Sequence, residues 1–300
     1  MHDEAFLSVV PFFVWFAGVV AACFLIVIFI KHRHRSRRSP FIRHLLRSPG
    51  GAVRQQLDVV DGKIDFYLLQ LILSLPLTIV ILLGQQNFLP SSLYPLWAGT
   101  VVICCLSVAF SSVLFVLILR LLVVQRKLDL DLDCKIAVGQ ELNLLMRQGC
   151  SVFHDVPADG SSIDHVLVGP SGVYVIATKG RVKPRRRKGS LEERVFYDGK
   201  ELVFPGCNDT GPLLQVKWQA AWFAEWLSGV VGEKVLVKGI VFLPGWTVEA
   251  SGRNEISVVN EDSAHLLAKP RGDNVLGEDS LQRIAYQIEH HCRIMTGEGG

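Results

Sequence analysis

In three stretches within the first 125 residues polar positions all but vanish, and from about residue 129 they return in short alternating and helical patterns. Residues 8–30 run for 23 positions without a charge. At ~1.5 Å per helical residue such a stretch reaches ~34 Å, enough to cross a hydrocarbon core of ~30 Å. It is longer than the apolar part of a cleavable signal and opens on His2, Asp3 and Glu4 rather than on basic residues, so it reads as an uncleaved span. Residues 66–84, with Gln70 and Pro76, and residues 96–119, rich in small residues, predict two further spans. Nine Lys and Arg fall in 31–65, none in 85–95, and Arg120, Arg126 and Lys127 follow the third stretch. The excess of positive charge on cytoplasmic loops then puts the N-terminus outside and everything after the third span in the cytoplasm. The expected organisation is an all-α, three-span transmembrane anchor over 1–128, with a basic cytoplasmic loop at 31–65, followed by a cytoplasmic domain over 129–300 at the cell membrane.

In the second half the Leu/Asp alternation of 128–133 reads as a linker, and 135–147 as a helix. Strands are expected at 151–157, 163–168 and 172–179, the last two joined by the turn Gly169-Pro170-Ser171-Gly172. Strand alternation puts Asp164 with Val166 and Val168, and Ala177 with Val173, Val175 and Lys179, and turns His165 to the opposite sheet face. Asp198-Gly199 predicts a second hairpin between RVFY and ELVF. Leu213, Val216, Ala220, Phe223 and Leu227 recur at helical spacing over 212–227 and define a core-facing stripe. Trp218, Trp222 and Trp226 run along a neighbouring face, where they pack on the sheet, offer a base-stacking platform or form a membrane-facing edge. Residues 234–243 read as a buried strand and 280–295 as a closing helix, with His290 and His291 at its surface.

Composition sharpens this picture in two ways. Half of the 300 residues are hydrophobic and only 20% are charged, which excludes an ordinary soluble globule and assigns the apolar excess to the anchor. The seven cysteines are odd in number and show no CxxC or Cys/His ligand spacing, which argues against a disulfide scaffold and a zinc site. The net charge of +3 decides little, but its distribution matters. KHRHRSRR at 31–38 borders a span and reads as a topology signal and a contact for an anionic inner leaflet. RVKPRRRK at 181–188 carries six Lys or Arg in eight positions, so that Arg185, Arg186, Arg187 and Lys188 can neutralise phosphates of nucleic acid or lipid.

GQE at 139–141, IDHVLVGPSGVYVIATK at 163–179 and Gln215 in PLLQ resemble the nuclease-related domain (NERD) family, a branch of the PD-(D/E)XK nuclease superfamily. The likeness covers about residues 138–244. It implies an α/β fold with a restriction-endonuclease-like mixed sheet flanked by helices. It also implies metal-dependent phosphodiester hydrolysis with Mg²⁺ or Mn²⁺, acting on nucleic acid, DNA more than RNA. Carried over residue by residue, the family's site is Glu141, Asp164, Lys179 and Gln215, with Asp164 and Glu141 holding the metal. Where the pattern has the glutamate of an E-x-K pair this chain has Ala177, which supplies no oxygen. Mg²⁺ prefers several oxygen ligands and activates a bound water, so two readings stand. In one, Glu141, or another carboxylate such as Glu192 or Asp209, completes a working nuclease. In the other, the domain is catalytically degenerate and serves nucleic-acid binding or membrane interaction. Small residues at Ala98, Gly99, Ser107, Ser111 and Ser112 allow a homo-oligomer through the transmembrane helices.

Overall fold

The computed structural model describes residues 48–88, 96–183, 194–252, 254–269 and 276–295. The span expected at 8–30 lies outside the described residues, as do the basic positions up to residue 47. The chain divides into two compact units, Met1–Arg43 with Asp58–Arg126, and His44–Leu57 with Lys127–Gly300.

The first unit contains most of two long helices, α1 (Gly51–Phe88) and the first part of α2 (Leu96–Leu144). Among the described residues these two helices are long and apolar enough to cross a membrane, over Gly51–Gly84 and Ala98–Gln148. Within the unit they meet through small polar side chains. Thr78 Oγ1 donates to Ser107 Oγ at 2.9 Å, Ser74 and Ser111 hydroxyls lie 3.4 Å apart, and Gln125 Nε2 donates to Asp61 Oδ1 at 2.7 Å. Ser107 and Ser111, which sequence offers to a second copy, are thus engaged within the chain. Leu75, Leu77, Leu106 and Val108 face outward and are exposed, the arrangement expected of a helix pair whose hydroxyls approach closely inside an apolar surround.

Two expectations are corrected here. The second half of the presumed loop 31–65 is helical from Gly51, and the Leu/Asp run at 128–133 is no linker, because α2 passes through it without a break. Leucine is a good helix former. The alternating pattern also places Asp131 one turn before Lys135, where the two form an ion pair of 3.2 Å.

The second unit is built on two sheets. The larger has the order β1 (Ser151–Ala158), β2 (Ser161–Gly169), β3 (Gly172–Thr178), β7 (Val237–Phe242), β9 (Ser257–Val259). Its first three strands are antiparallel neighbours, whereas β7 and β9 run parallel to β3. The β2–β3 turn closes on Gly169 opposite Gly172, whose φ of 128° belongs to glycine. The smaller sheet has the order β6 (Cys207–Asp209), β5 (Leu202–Phe204), β4 (Arg194–Tyr197), β8 (Thr247–Ala250), with the Asp198-Gly199 hairpin between β4 and β5.

One face of the large sheet is covered by α3 (Gly211–Val231), which buries Leu213, Val216, Ala220, Phe223 and Leu227, and by α5 (Glu278–Met295), which buries Ile284, Ile288 and Cys292. The other face receives Val138 and Leu142 from the end of α2, with the short helix α4 (Glu261–Ala264) beside them. Trp222 and Trp226 stack with centroids 6.4 Å apart and rings 7° from parallel, while Trp218 stays half exposed. His291 is no plain surface residue. Its ring lies 4.6 Å from that of Trp226 and its Nε2 donates to the Pro157 carbonyl at 3.1 Å, fastening α5 to β1.

The segment before α1 is fitted to this unit. Pro49 lies against Gly139 of α2, so closely that a Cβ on Gly139 would stand 2.5 Å from the proline Cγ. Gly139→Ala is therefore expected to destabilise the unit by about 1–2 kcal/mol, overpacking outweighing the gain in helix propensity. Thermal unfolding of the full chain checks this, and adding Pro49→Ala should restore most of the loss.

Candidate active site

Regular alternation fails at one place in the large sheet. Phe153 and Val156 of β1 both enter the core under α3, as do Ile163 and Val166 of β2, a spacing of three rather than two. The cause is Asp155, whose φ of 50° makes it the left-handed non-glycine residue among those described. Consecutive polar side chains consequently turn to the side of α2 and the start of α1. Asp155 Oδ2 accepts the Ala52 N–H at 2.8 Å, His154 Nε2 reaches Asn143 Oδ1 at 3.3 Å, and Asp164 reaches Lys135 at 2.8 Å. Asp164 and His165 therefore do not face opposite sides, as strict alternation predicts.

Asp164 stands where β2 and β3 part. The register His165↔Ile176, carried one residue further, sets Asp164 opposite Ala177. Its Oδ2 accepts the Thr178 N–H at 2.8 Å and its Oδ1 the Lys135 ammonium at 2.8 Å. Asp164 is 5% exposed and Lys135 8%. Burial drives the Asp164 carboxyl above its ordinary pKa, against the pull of the ammonium and the amide. Lys135 also reaches Asp131.

His154 and His165 form a second buried pair, Nδ1 to Nδ1 at 2.8 Å. The hydrogen bonds fix the tautomers. His154 donates through Nε2 to Asn143, so its Nδ1 accepts from His165, and the His165 Nε2 is left as an acceptor with no partner among the described residues. A proton added there would be buried and unpaired. Burial accordingly pushes His154 down to about 4 and His165 well below its ordinary value, the latter helped by the nearby charges of His154 and Lys135.

The remaining expected site residues are dispersed. Glu141 is half-buried on α2, six residues and hence about 9 Å along the axis beyond Lys135. Lys179 follows β3, half-buried, its N–H bonded to the Phe242 carbonyl at 3.0 Å. Gln215 is exposed on the first turn of α3. The buried amide is Gln219, one turn on, which donates to the Ser162 carbonyl at 3.2 Å. Asp209 is paired with Arg181 at 3.1 Å, and the Arg181 guanidinium lies 4.4 Å from the Phe204 ring centre. Arg185, Arg186, Arg187, Lys188 and Glu192 lie outside the described residues. Sequence reading missed Lys135, whose Asp131 partner at i−4 is visible in the chain but whose partner Asp164 is not.

Residues 133–244 match the family model of the nuclease-related domain. No curated protein and no solved structure gives a significant match to the chain. The match begins five residues earlier than the resemblance in sequence suggests, and Lys135 lies within it, together with Glu141, Asp164, Lys179 and Gln215.

The metal that the resemblance implies can be tested against the donors present. Both Asp164 oxygens are taken by hydrogen-bond donors, Ala177 offers none, and among the described residues no three His, Cys, Asp or Glu side chains are grouped to hold a metal ion. Mg²⁺ requires oxygen ligands at ~2.0–2.1 Å with room for its waters, and this notch within the matched segment does not fit it.

Proposed function

We propose that the chain is a membrane-tethered, nuclease-related protein that binds nucleic acid at the cytoplasmic face and does not hydrolyse it. The observation that carries this reading is the state of the notch: the Asp164 carboxylate is buried, stands beside an alanine and is already bonded to an ammonium. Catalysis of phosphodiester cleavage by the PD-(D/E)XK arrangement requires a metal-bound water, and these residues offer no place to hold one.

Binding is supported by the segment after β3. The chain leaves the strand into 181–188, where six of eight residues are basic. Arg181 is committed to Asp209, which leaves the Arg185–Lys188 cluster as the candidate phosphate contact, on DNA in preference to RNA. The tether is supported by α1 and α2, which are long and apolar enough to cross a bilayer, and the cytoplasmic placement by the basic residues of 31–65.

The test uses the full chain in nanodiscs with linear DNA, circular DNA and RNA, with and without Mg²⁺ or Mn²⁺. Expected are intact substrates and retention of DNA that needs no divalent ion. If four phosphates are contacted, affinity should fall about 100-fold between 50 and 200 mM salt, and replacing residues 185–188 by alanine should flatten that dependence. Metal-dependent cleavage abolished by Asp164→Ala would make the chain a working nuclease instead. Capture of anionic vesicles without any nucleic acid would assign the basic run to lipid.

A further inference from the structure

The Lys135 side chain comes from a helix, is almost fully buried, and ends in a notch lined by carboxylates from two elements, Asp164 of β2 at 2.8 Å and Asp131 of α2 at 3.2 Å. An ammonium has three donors and one positive charge. Here it meets an oxygen from each carboxylate, while the second Asp164 oxygen is held by the Thr178 amide. A cation drawing together carboxylates of adjacent elements at the parting of two central strands is the role that a divalent ion plays in a metal-dependent notch. We infer that the Lys135 ammonium is the resident cation of this site, standing in the place of a divalent metal and keeping such metals out.

The exclusion is electrostatic as well as steric. An ion bound to the same Asp164 oxygen at ~2.1 Å would come within about 5 Å of the ammonium, and like charges that close in a buried site repel strongly. Ala177 completes the arrangement by omission, since a glutamate there would supply the second strand oxygen that a metal needs and the lysine does not. The inference rests on the reading of this notch as the counterpart of the family's catalytic position, and not on whether the domain binds nucleic acid.

The experiment is Mn²⁺ binding to the full chain in nanodiscs, followed by the loss of the free-ion electron paramagnetic resonance signal. Compared are the natural chain, Asp164→Asn, Lys135→Met/Ala177→Glu, and that double variant with Asp164→Asn added. The natural chain is expected to show no saturable site that Asp164→Asn removes. Lys135→Met/Ala177→Glu is expected to gain one Mn²⁺ per chain and to lose it again with Asp164→Asn. A saturable site in the natural chain that disappears in Asp164→Asn overturns the proposal by itself, whatever the variants do. So does a folded Lys135→Met/Ala177→Glu that binds nothing. Where that protein does not fold, Lys135→Gln/Ala177→Glu, which keeps the side-chain stem, is read by the same criterion. DNA retention by the natural chain, measured in the same samples, tests the functional reading separately: its loss would sink that reading and leave the Mn²⁺ result standing.

Discussion

Lys135→Met is expected to lower the stability of the α/β unit by about 3–5 kcal/mol, the range found when one partner of a buried ion pair is removed. The reason is the charge left behind. Asp164 is 5% exposed and keeps only the Thr178 N–H, so its carboxyl must either remain charged without a counter-ion or take up a proton at neutral pH. Burial already drives it toward the protonated form, and the lysine is the largest force opposing that. Methionine preserves the apolar stem, so the loss reports the charge rather than the packing. Lys135→Met/Asp164→Asn should recover most of the deficit, because two neutral side chains of similar volume leave no isolated charge. Denaturant unfolding followed by tryptophan fluorescence reads all three. A Lys135→Met protein within about 1 kcal/mol of the natural chain would mean that the pair is not formed in solution.

The second large effect concerns acid. His154 is held at about 4 in the folded unit, against an unfolded value of 6.5, and His165 lies well below its ordinary value too. The unfolded chain therefore binds protons between pH 6.5 and about 4 that the folded chain refuses, so stability is fully present above pH 6.5 and is lost as pH falls toward 4. Each tenfold loss of proton affinity on folding is worth about 1.4 kcal/mol, so His154 alone contributes roughly 3 kcal/mol of loss, and His165 adds to it. Asp164, raised by burial, acts in the opposite direction and subtracts from the total. Denaturant midpoints at pH 7.5 and pH 4.5 give the net change, and His154→Gln/His165→Gln isolates the histidine share. The natural chain should lose far more stability on acidification than the double variant, whatever their difference at pH 7.5. Equal losses would show that the histidines are hydrated and protonate freely.

How far the fold was legible in the sequence depends on what each signal reports. The β2–β3 hairpin and the core stripe of α3 could be read because period and turn chemistry are local: Gly169 and Gly172 announce the turn, and Leu213 to Leu227 announce the buried face. β6, β8 and β9 escaped because three or four residues carry no measurable period, and they are strands only through the neighbours they pair with. The Leu/Asp run misled for a related reason, since alternation suits a strand or a linker, and the partners of Leu132 and Lys135, at Gly50 and Asp164, add to leucine's propensity in favouring a helix there. In the candidate site, the family motif pointed to Asp164 and its neighbours and to the missing glutamate at Ala177. It could not reveal that Asp164 and His165 share a side, because that depends on one backbone angle at Asp155, nor that a lysine 29 positions upstream fills the notch.

The fit of residues 49–52 against Gly139 and Asp155 carries a consequence for how the chain is threaded. Both partners belong to one folded unit, although α1 and most of α2 lie between them in sequence. A folded unit occupies one aqueous compartment. Wherever the intervening residues enter a bilayer, they must come back out on the side they left, and so cross it an even number of times. That parity follows from two contacts, without reference to the sign of any loop charge. If α1 and α2 both enter the bilayer, they form an out-and-back excursion whose return is a precondition for the Ala52–Asp155 hydrogen bond, and the unit is completed only once the second helix has been threaded back.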